Sequence, residues 1–503
     1  MSSISTAADS PAEGAIPRTG FKRGLGLFDS AALVAGSMIG SGIFLVTPGM
    51  ARDIGSPGWL LVAWVATGVL IMAAVVSYGE LPAMMPGAGG GYVYLREAFS
   101  PLVGFLYGWS VFLVTQTGSI AALGVAFARA AGVLFPGVAE DRYLIPPLHV
   151  SEHYALSLST AQLVALLSIA LLTWTNIRGL DYGKRVQNLF STTNVLALLG
   201  LIVACLVLGR SEAAVESNFT NLWTPRDPQP LAPGLTAATA YGLLAALCVA
   251  QVGSFFSSIG WENLPMMGDE VKDPRRNLPL GLVLGAGLVS ILYLLANLGY
   301  LSTLTFDELR SVPGDQVASA ALESVWPGVG ALLIAGAIMA STFGCNNASI
   351  LGGARTYWAM ARDGLFFEGA GRLNGARVPG WGLALQGVWS AALVLPRTFD
   401  PATGAYGNLY SNLLDYVISI LLIFSYVLPV LGIFRLRRTR PDAERPYRAF
   451  GYPVVPAFFV AGSCLIVLML LLYRPYTTWP GAVIVLLGVP VYLWRKARPG
   501  MSE

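Results

Sequence analysis

The stretch Gly36-Ser37-Met38-Ile39-Gly40-Ser41-Gly42 interrupts an apolar run that extends over residues 28–51. The run is long enough to cross about 30 Å of hydrocarbon, yet its middle consists of small and polar residues. Unpaired backbone groups are costly in lipid, so a membrane helix breaks only where protein or a water-filled cavity satisfies them. The stretch therefore predicts a helix that is broken in mid-membrane beside a buried polar site. The alternative is close helix packing, because Gly36 and Gly40 have the four-residue spacing of small-residue packing motifs.

A second interruption lies in the apolar run 236–269, where residues 257–265 read Ser-Ser-Ile-Gly-Trp-Glu-Asn-Leu-Pro. Glycine, a carboxylate and proline stand where a simple membrane helix has apolar residues. The two breaks lie five spans apart, as in transporters built from two inverted repeats with the solute site between them. Amides freed at a half-helix N-terminus attract an anion, and the freed carbonyls opposite attract a cation. An α-amino acid carries both groups on one carbon, so the pair of breaks favours it as the solute.

The composition places the whole chain in a membrane. Of 503 residues 55% are hydrophobic and 12% are charged, with a mean hydropathy of +0.63, whereas about a quarter of the residues in soluble domains are charged. The net charge of +3 excludes the strong basic field of a nucleic-acid-binding protein. Recurring apolar runs predict an all-α integral membrane protein with about twelve transmembrane helices. These predicted spans are 28–51, 57–81, 101–135, 158–177, 189–209, 236–269, 279–304, 325–361, 380–397, 407–436, 453–473 and 477–495.

The basic residues in the loops predict the orientation of the spans, because Lys and Arg are retained on the cytoplasmic side. With twelve spans and a cytoplasmic N-terminus, that side collects roughly three times as many basic residues as the other. We therefore expect a multi-pass protein of the cell membrane with both termini in the cytoplasm. Residues 1–24 are then a disordered cytoplasmic tail, residues 25–498 the transmembrane domain and residues 499–503 a C-terminal tail.

Residues that usually act in catalysis or bind metals are few in this sequence. Both histidines, His149 and His153, lie in the loop after the third predicted span, so neither relays protons inside the membrane. The chain has no HExxH motif, no Walker loop and no evident pairing of a nucleophile with a base. The cysteines lie in apolar runs, form no CxxC pair and are interpreted as small core residues: Cys205, Cys248, Cys345 and Cys464. We therefore predict no enzymatic activity, no cofactor and no metal.

Several motifs resemble one family. They are GSMIGSGIF from Gly36, SYGELPAMMPGAGGGYVYLREAFSP from Ser77, GWENLPMMGDEVKDPRRNLP from Gly260, STFGCNNASILGGARTYWAMARDG from Ser341 and RTRPDAERPYRAFGYPVVP from Arg438. On these the chain resembles the amino acid–polyamine–organocation (APC) permeases, closest to the L-type amino-acid transporter branch. The resemblance implies two inverted repeats of five helices with discontinuous helices 1 and 6, two further helices, alternating access and sodium-independent transport of L-amino acids.

The resemblance also assigns contacts to the solute. It implies that the carboxylate binds the amides of Met38, Ser41 and Gly42, and that the ammonium binds the carbonyls of Phe256 and Ile259. Phe256 would also close over the solute from the outer side, unless it is an ordinary lipid-facing residue. Further residues of the two breaks and the expected pocket walls complete the candidate site: Ser37, Gly40, Gly260, Trp261, Glu262, Asn263, Ser119, Ser341 and Tyr416.

Three features depart from the family pattern or qualify it. Some members carry a lysine in helix 5 that replaces a bound sodium, and here Asn194 takes that coupling position, as a neutral spacer or as a ligand of an ion or water. Glu262 is expected to be solvated in the inner vestibule; the alternatives are contact with a cationic substrate or carriage of a proton. The loop at residues 136–156 has no cysteine, so no disulfide-linked heavy chain is expected.

The sequence thus predicts a secondary active transporter of L-amino acids, with neutral amino acids favoured and the lipid bilayer as its environment. One alternative is an antiporter of cationic amino acids or polyamines, for which Glu262 would supply the recognising charge. An alternative of another class is a transporter-like membrane sensor. Neither tail has room for a soluble signalling domain, which argues against the sensor.

Overall fold

A computed structural model of the chain describes residues 20–400, 405–408 and 421–496. The first half is helical apart from one pair of strands. Its helices are α1 (Leu27–Met38), α2 (Thr47–Ile54), α3 (Pro57–Met84), α4 (Gly91–Ala98), α5 (Pro101–Leu134), α6 (Thr160–Ile177), α7 (Leu180–Leu208) and α8 (Glu212–Thr220). Strands β1 (Tyr143–Ser151) and β2 (Tyr154–Ser159) join α5 to α6.

The second half repeats this helical character. Its helices are α9 (Ala240–Ser258), α10 (Asn263–Met266), α11 (Pro274–Thr303), α12 (Phe306–Arg310), α13 (Val317–Val325), α14 (Gly330–Arg362), α15 (Gly380–Val394), α16 (Leu428–Thr439), α17 (Val454–Tyr473), α18 (Pro475–Leu486) and α19 (Gly488–Lys496). A π-helical turn, Leu421–Val427, leads into α16, and the strands β3 (Pro396–Asp400) and β4 (Ala405–Asn408) follow α15.

Local signals fix several helix starts. α3 and α5 each begin at a proline that follows a serine, and the serine hydroxyl accepts a hydrogen bond from the amide of Trp59 or Val103. Proline suits the first turn because its missing N–H would be unpaired there in any case. α6 begins with a capping box, in which Ser159 and Gln162 bond each other's backbone amides. The predicted starts of these three spans lie within two residues of the observed ones.

In the described ranges, 9 helices or continuous helical segments are long and apolar enough to cross a membrane. The first predicted span is not one of these 9, because its break divides it into two shorter helices: α1 ends at Met38 and α2 begins at Thr47. The chain is therefore a multi-pass helical membrane protein, as predicted, while the count of twelve spans stays a prediction. α7 begins at Leu180, not at residue 189 as predicted. Its polar first turns are held by ion pairs of Asp181 with Lys22, in the segment before α1, and of Lys184 with Asp29, in the first turn of α1.

The sequence did not predict a four-stranded antiparallel sheet of order β1-β2-β3-β4. β2 pairs with β3 through Tyr154 opposite Thr398 and Leu156 opposite Pro396, so the loop after α5 is joined to the loop after α15. Residues 407 and 408, expected to start the tenth span, belong to β4.

Two further expectations need correction. Residues 20–24, expected in a disordered tail, pack on the helices: the ring of Phe21 lies 4.9 Å from that of Trp358, and the amide of Gly24 donates to the Glu270 carbonyl at 2.8 Å. Cys464, interpreted as a core residue, is exposed on the surface of α17, whereas the other cysteines are buried.

Candidate functional site

The first break follows α1. The amide of Gly40 turns back to the carbonyl of Met38 at 2.9 Å, and a single 3₁₀ turn, Gly42–Phe44, precedes α2. Within the described part of the chain, the amides of Ser41 and Gly42 donate no hydrogen bond. Met38 differs from the expectation, because it is the last residue of α1 and its amide belongs to the hydrogen-bond ladder of that helix. Two of the three predicted amides are therefore free to bind an anion.

The second break follows α9. Ile259 is extended, and Gly260 has φ +107°, a left-handed conformation that side chains rarely adopt. A Cβ atom at Gly260 would lie 2.7 Å from the carbonyl oxygen of Ser37, so the position also requires glycine for close approach. Among the described residues, no hydrogen bond reaches the carbonyls of Phe256 or Ile259 from outside their own helix. These are the carbonyls expected to bind a cation.

One tyrosine joins the two breaks. The hydroxyl of Tyr293, on α11, lies 2.8 Å from the carbonyl of Met38 and 2.8 Å from the carbonyl of Ser257. A carbonyl is freed where a helix ends, and burial without a partner would cost the full desolvation of that group. Tyr293 therefore holds the ends of both half-helices in register, an arrangement that no local pattern in the sequence indicates.

A cavity of about 240 Å³ lies between the breaks and α5. It brings together most of the residues that the sequence predicted for the site. The predicted residues on its wall are Ser37, Met38, Gly40, Ser41, Gly42, Ser119, Phe256, Ile259, Gly260, Glu262 and Asn263.

Three predicted residues that the structure describes do not line the cavity. Trp261 is fully buried behind the wall, where its ring stacks on that of Tyr426 at 4.8 Å. Ser341 donates to the carbonyl of Ile39 at 2.6 Å, and the side-chain amide of Asn194 lies 3.5 Å from the same oxygen, so both support the first break from outside the cavity. Tyr416 lies outside the described residues.

Glu262 was expected to be solvated, but the structure shows a buried side chain. Its side chain is 6% exposed and reaches the cavity wall. Its carboxylate accepts hydrogen bonds of 2.9 Å from the amide of Gly260 and of 2.9 Å from the hydroxyl of Tyr426. A buried carboxylate without such donors would be very costly, and here the fold supplies two of them.

Sequence reasoning predicted Ser119 on α5 but missed Gln116, a second polar residue of the same helix on the cavity wall. The side-chain amide of Gln116 lies 2.9 Å from the Asn263 side-chain oxygen and 2.7 Å from the carbonyl of Ser349, and all three residues line the cavity. An uncharged amide in the middle of a predicted span was the signal that could have indicated it. Gln116 therefore ties α5 to the second break.

On the side that carries the N-terminal segment, the protein beyond the cavity consists of buried residues, and we call this the sealed side. There Arg355 and Glu270, 0% and 1% exposed, form a bidentate pair with distances of 3.1 and 2.8 Å. The amide of Ala88 donates to Asp269 at 3.0 Å beside this pair. On the opposite side the wall runs along α5 to Arg129, in the last turns of that helix before the strands.

A family model for "Amino acid permease" matches residues 25–492. The chain is 29% identical to the large neutral amino acids transporter small subunit 2 of Mus musculus, over 94% of this chain and 80% of the relative. It is 27% identical to the Asc-type amino acid transporter 1 of Mus musculus, over 95% and 83% of the two chains. It is 26% identical to the serine/threonine exchanger SteT of Bacillus subtilis (strain 168), over 95% and 98%. These relatives are transporters and not enzymes.

The family match covers both helix breaks, the cavity between them and the closed side below it. A multi-pass helical architecture, with an internal cavity between two helix breaks, is the arrangement that a membrane permease requires. The chain belongs to the amino acid permease family.

Proposed function

We propose that this permease carries L-amino acids, with neutral ones favoured, across the cell membrane by alternating access and without sodium. The observation that carries the proposal is the cavity between the two breaks. Free amides of Ser41 and Gly42 lie on one side of it and free carbonyls of Phe256 and Ile259 on the other. Such a pair of poles suits the carboxylate and ammonium groups of one α-amino acid.

The rest of the wall favours a neutral side chain. Leu45, Ala122, Leu123 and Ala126 give it an apolar surface. Its charged residues are Glu262, whose carboxylate is already bonded by two donors, and Arg129, at the far end of α5 beside Glu140. An amino acid without a charged side chain would be bound here without burying a further charge.

Alternating access is supported by the asymmetry of the cavity. One side is sealed by the buried pair of Arg355 and Glu270, while the wall on the other side continues to Arg129. During each cycle a carrier has to open the sealed side and close the other side. In our proposal, separation of α14 from the segment after α10 opens the sealed side.

Sodium independence is supported by the first break. The Ile39 carbonyl, which faces Asn194 and Ser341, is already bonded by the Ser341 hydroxyl at 2.6 Å. In our proposal these two neutral donors occupy the space beside the Ile39 carbonyl that a sodium ion would need. In this proposal Asn194 is a neutral spacer in the coupling position.

The second candidate is an antiporter of cationic amino acids or polyamines. Glu262 supports it, since this side chain lines the cavity and is only 6% exposed. A substrate ammonium could pair with Glu262 in place of the Tyr426 hydroxyl.

For the cellular setting, we propose that both termini are cytoplasmic and that the strands face outward. The sequence supports this through its basic loops. The name of one relative calls it a small subunit, yet here the loop between α5 and α6 has no cysteine. We therefore propose that this permease works without a disulfide-linked heavy chain.

The test is uptake of radiolabelled L-amino acids into proteoliposomes, with or without internal amino acid, with sodium or choline outside, and at two pH values. We expect saturable uptake of neutral amino acids that is equal in sodium and choline. Uptake restricted to Lys, Arg or polyamines would favour the second candidate. Failure of every amino acid to accumulate, in vesicles where the protein is monodisperse and inserted, would refute both.

A further inference from the structure

A second cavity, of about 400 Å³, opens on the side that carries the N-terminal segment. It lies between that segment, the turn from α6 to α7 and the segment before α15. We call it the basic groove, and its polar wall is formed by Lys22, Arg178, Asp181, Tyr182 and Arg377. It is separate from the amino-acid cavity, with which it shares no wall residue.

The groove carries an excess of positive charge. Lys22 forms an ion pair of 2.6 Å with Asp181, the carboxylate on this wall. The guanidinium groups of Arg178 and Arg377 have no ion pair within the described ranges. Two positive charges therefore remain for an anion from outside the described chain.

Arg178 is held at the level of the membrane boundary. Its guanidinium lies 4.3 Å from the ring centroid of Trp174, in the last turn of α6. The side chains of Trp174 and Tyr182 are 53% and 56% exposed. Exposed Trp and Tyr at the end of a membrane helix are typical of the headgroup region of a bilayer. Stacking on Trp174 thus presents a positioned cation to that region.

Arg377 is brought to the groove by a tightly built turn. Asn374 accepts hydrogen bonds from the amides of Ala376 and Val378 at 3.0 and 3.2 Å, and it donates to the carbonyl of Ile177 at 2.9 Å. The turn is thereby fastened to the end of α6, beside Arg178. Arg377 itself has φ +59°, an uncommon conformation for a residue with a side chain. Strain of this kind persists where surrounding bonds enforce it, often at binding sites.

We propose that the basic groove binds the phosphate of an anionic phospholipid headgroup. Guanidinium groups bind phosphate oxygens through paired, charge-assisted hydrogen bonds. Basic pockets between membrane helices are known to take anionic lipid headgroups. The aromatic residues at the rim favour a lipid over a soluble phosphate compound, although both offer the same oxygens. In the orientation proposed above the groove faces the cytoplasmic leaflet, and the binding of a headgroup does not depend on that orientation.

The test measures binding of POPG and POPC to the purified full-length permease in nonionic detergent, by native mass spectrometry. The variant is Arg178→Gln with Arg377→Gln, and the matched control is Arg372→Gln with Arg438→Gln, two arginines that do not line the groove. Each basic residue near an anionic surface is worth about fivefold in affinity, so we expect the variant to bind POPG about 25-fold more weakly. POPC binding should be unchanged in both.

A second arm titrates inorganic phosphate and glycerol 3-phosphate at constant ionic strength and follows thermal unfolding. Loss of POPG binding in the variant and not in the control supports the proposal. Stabilisation by the soluble phosphates that the variant loses, without POPG binding, supports the phosphate site and overturns its lipid source. Equal POPG binding by variant and wild type, or an equal loss in the control, overturns the site. None of these readouts requires transport, so failure of the proposed function would not alter them.

Discussion

The hydroxyl of Tyr426 lies 2.9 Å from the carboxylate of Glu262, and it comes from a segment far later in the chain. Tyr426 belongs to the π-helical turn before α16, whereas Glu262 belongs to the break between α9 and α10. The ring of Trp261, next to Glu262, stacks on the ring of Tyr426 with an interplanar angle of 21°. One side chain thus fixes both the carboxylate on the cavity wall and the tryptophan behind it.

The first prediction concerns this pair. Tyr426→Phe removes one of the two donors to a buried carboxylate, so we expect the free energy of unfolding to fall by about 1.5–3 kcal/mol. In a Glu262→Gln background the acceptor is neutral, and the same substitution should cost about 0.5–1.5 kcal/mol. A double-mutant cycle, measured by unfolding in detergent and SDS, checks the difference. Equal costs in the two backgrounds would show that the charge of Glu262 does not strengthen this hydrogen bond.

Gly42→Val should abolish uptake. A Cβ atom at Gly42 would lie 2.4 Å from the hydroxyl and 2.9 Å from the Cα atom of Ser257. The two breaks would therefore have to move apart. The added Cβ atom would also hinder approach of a carboxylate to the Gly42 amide. The measurement is uptake per inserted protein in proteoliposomes.

The matched control is Gly200→Val on α7, where an added Cβ has open space. That variant should insert and transport like the wild type. If Gly42→Val transports normally, the amides of the first break do not bind the solute.

Removing one partner of the buried pair of Arg355 and Glu270 should lower the free energy of unfolding strongly. Arg355→Ala leaves a carboxylate buried without its partner, so we expect a loss of about 3–5 kcal/mol in the free energy of unfolding. Replacing both residues, as Arg355→Met with Glu270→Gln, should cost less than Arg355→Ala alone. Thermal unfolding in detergent ranks the variants.

Arg275 and Glu444 provide a control pair with a similar distance of 2.8 Å but with exposed side chains. Arg275→Ala should cost at most about 1 kcal/mol. Similar losses for Arg275→Ala and Arg355→Ala would mean that water enters the sealed side of the cavity.

A fourth prediction tests which side of the membrane the cavity faces. Ala126 lines the cavity on α5, so a cysteine there should react with a membrane-impermeant maleimide added outside intact cells. The background carries Cys345→Ala and Cys464→Ser, because the first native thiol lines the cavity and the second is exposed. A transported amino acid should slow the reaction.

Ala354, on the sealed side of α14, is 0% exposed, and its cysteine variant is the control that should stay unlabelled. Labelling at position 126 that requires permeabilised cells would reverse the proposed orientation without affecting the site itself.

The sequence predicted both breaks because their signals are local. Glycine, serine, proline and a carboxylate within an apolar run have few explanations in lipid, so Gly42 and Gly260 could be assigned to breaks from their neighbouring residues alone. Helix starts such as Pro57 and Pro101 were predicted closely for the same reason, since the preceding serine and the proline act within one turn.

What the sequence did not predict depends on partners far away in the chain. The expectation that Glu262 is solvated came from the family resemblance, and its donor Tyr426 could not be known from the residues around it. The hydrogen bond from Gln116 to Asn263 likewise joins residues that lie far apart in the chain. β1 has the consecutive prolines Pro146 and Pro147, which usually argue against a strand, and they are tolerated because β1 is the edge of the sheet.

The sheet of β1 to β4 has a consequence for biosynthesis. β1 and β2 are translated before α6, whereas β3, the partner of β2, is translated after α15. A nascent chain therefore exposes the free edge of β2 throughout the synthesis and insertion of the intervening spans, and an exposed edge is prone to pairing with other chains. The final pairing of Tyr154 with Thr398 closes that edge late, so a chain released before β3 is translated keeps an unpaired strand edge that can bind other chains.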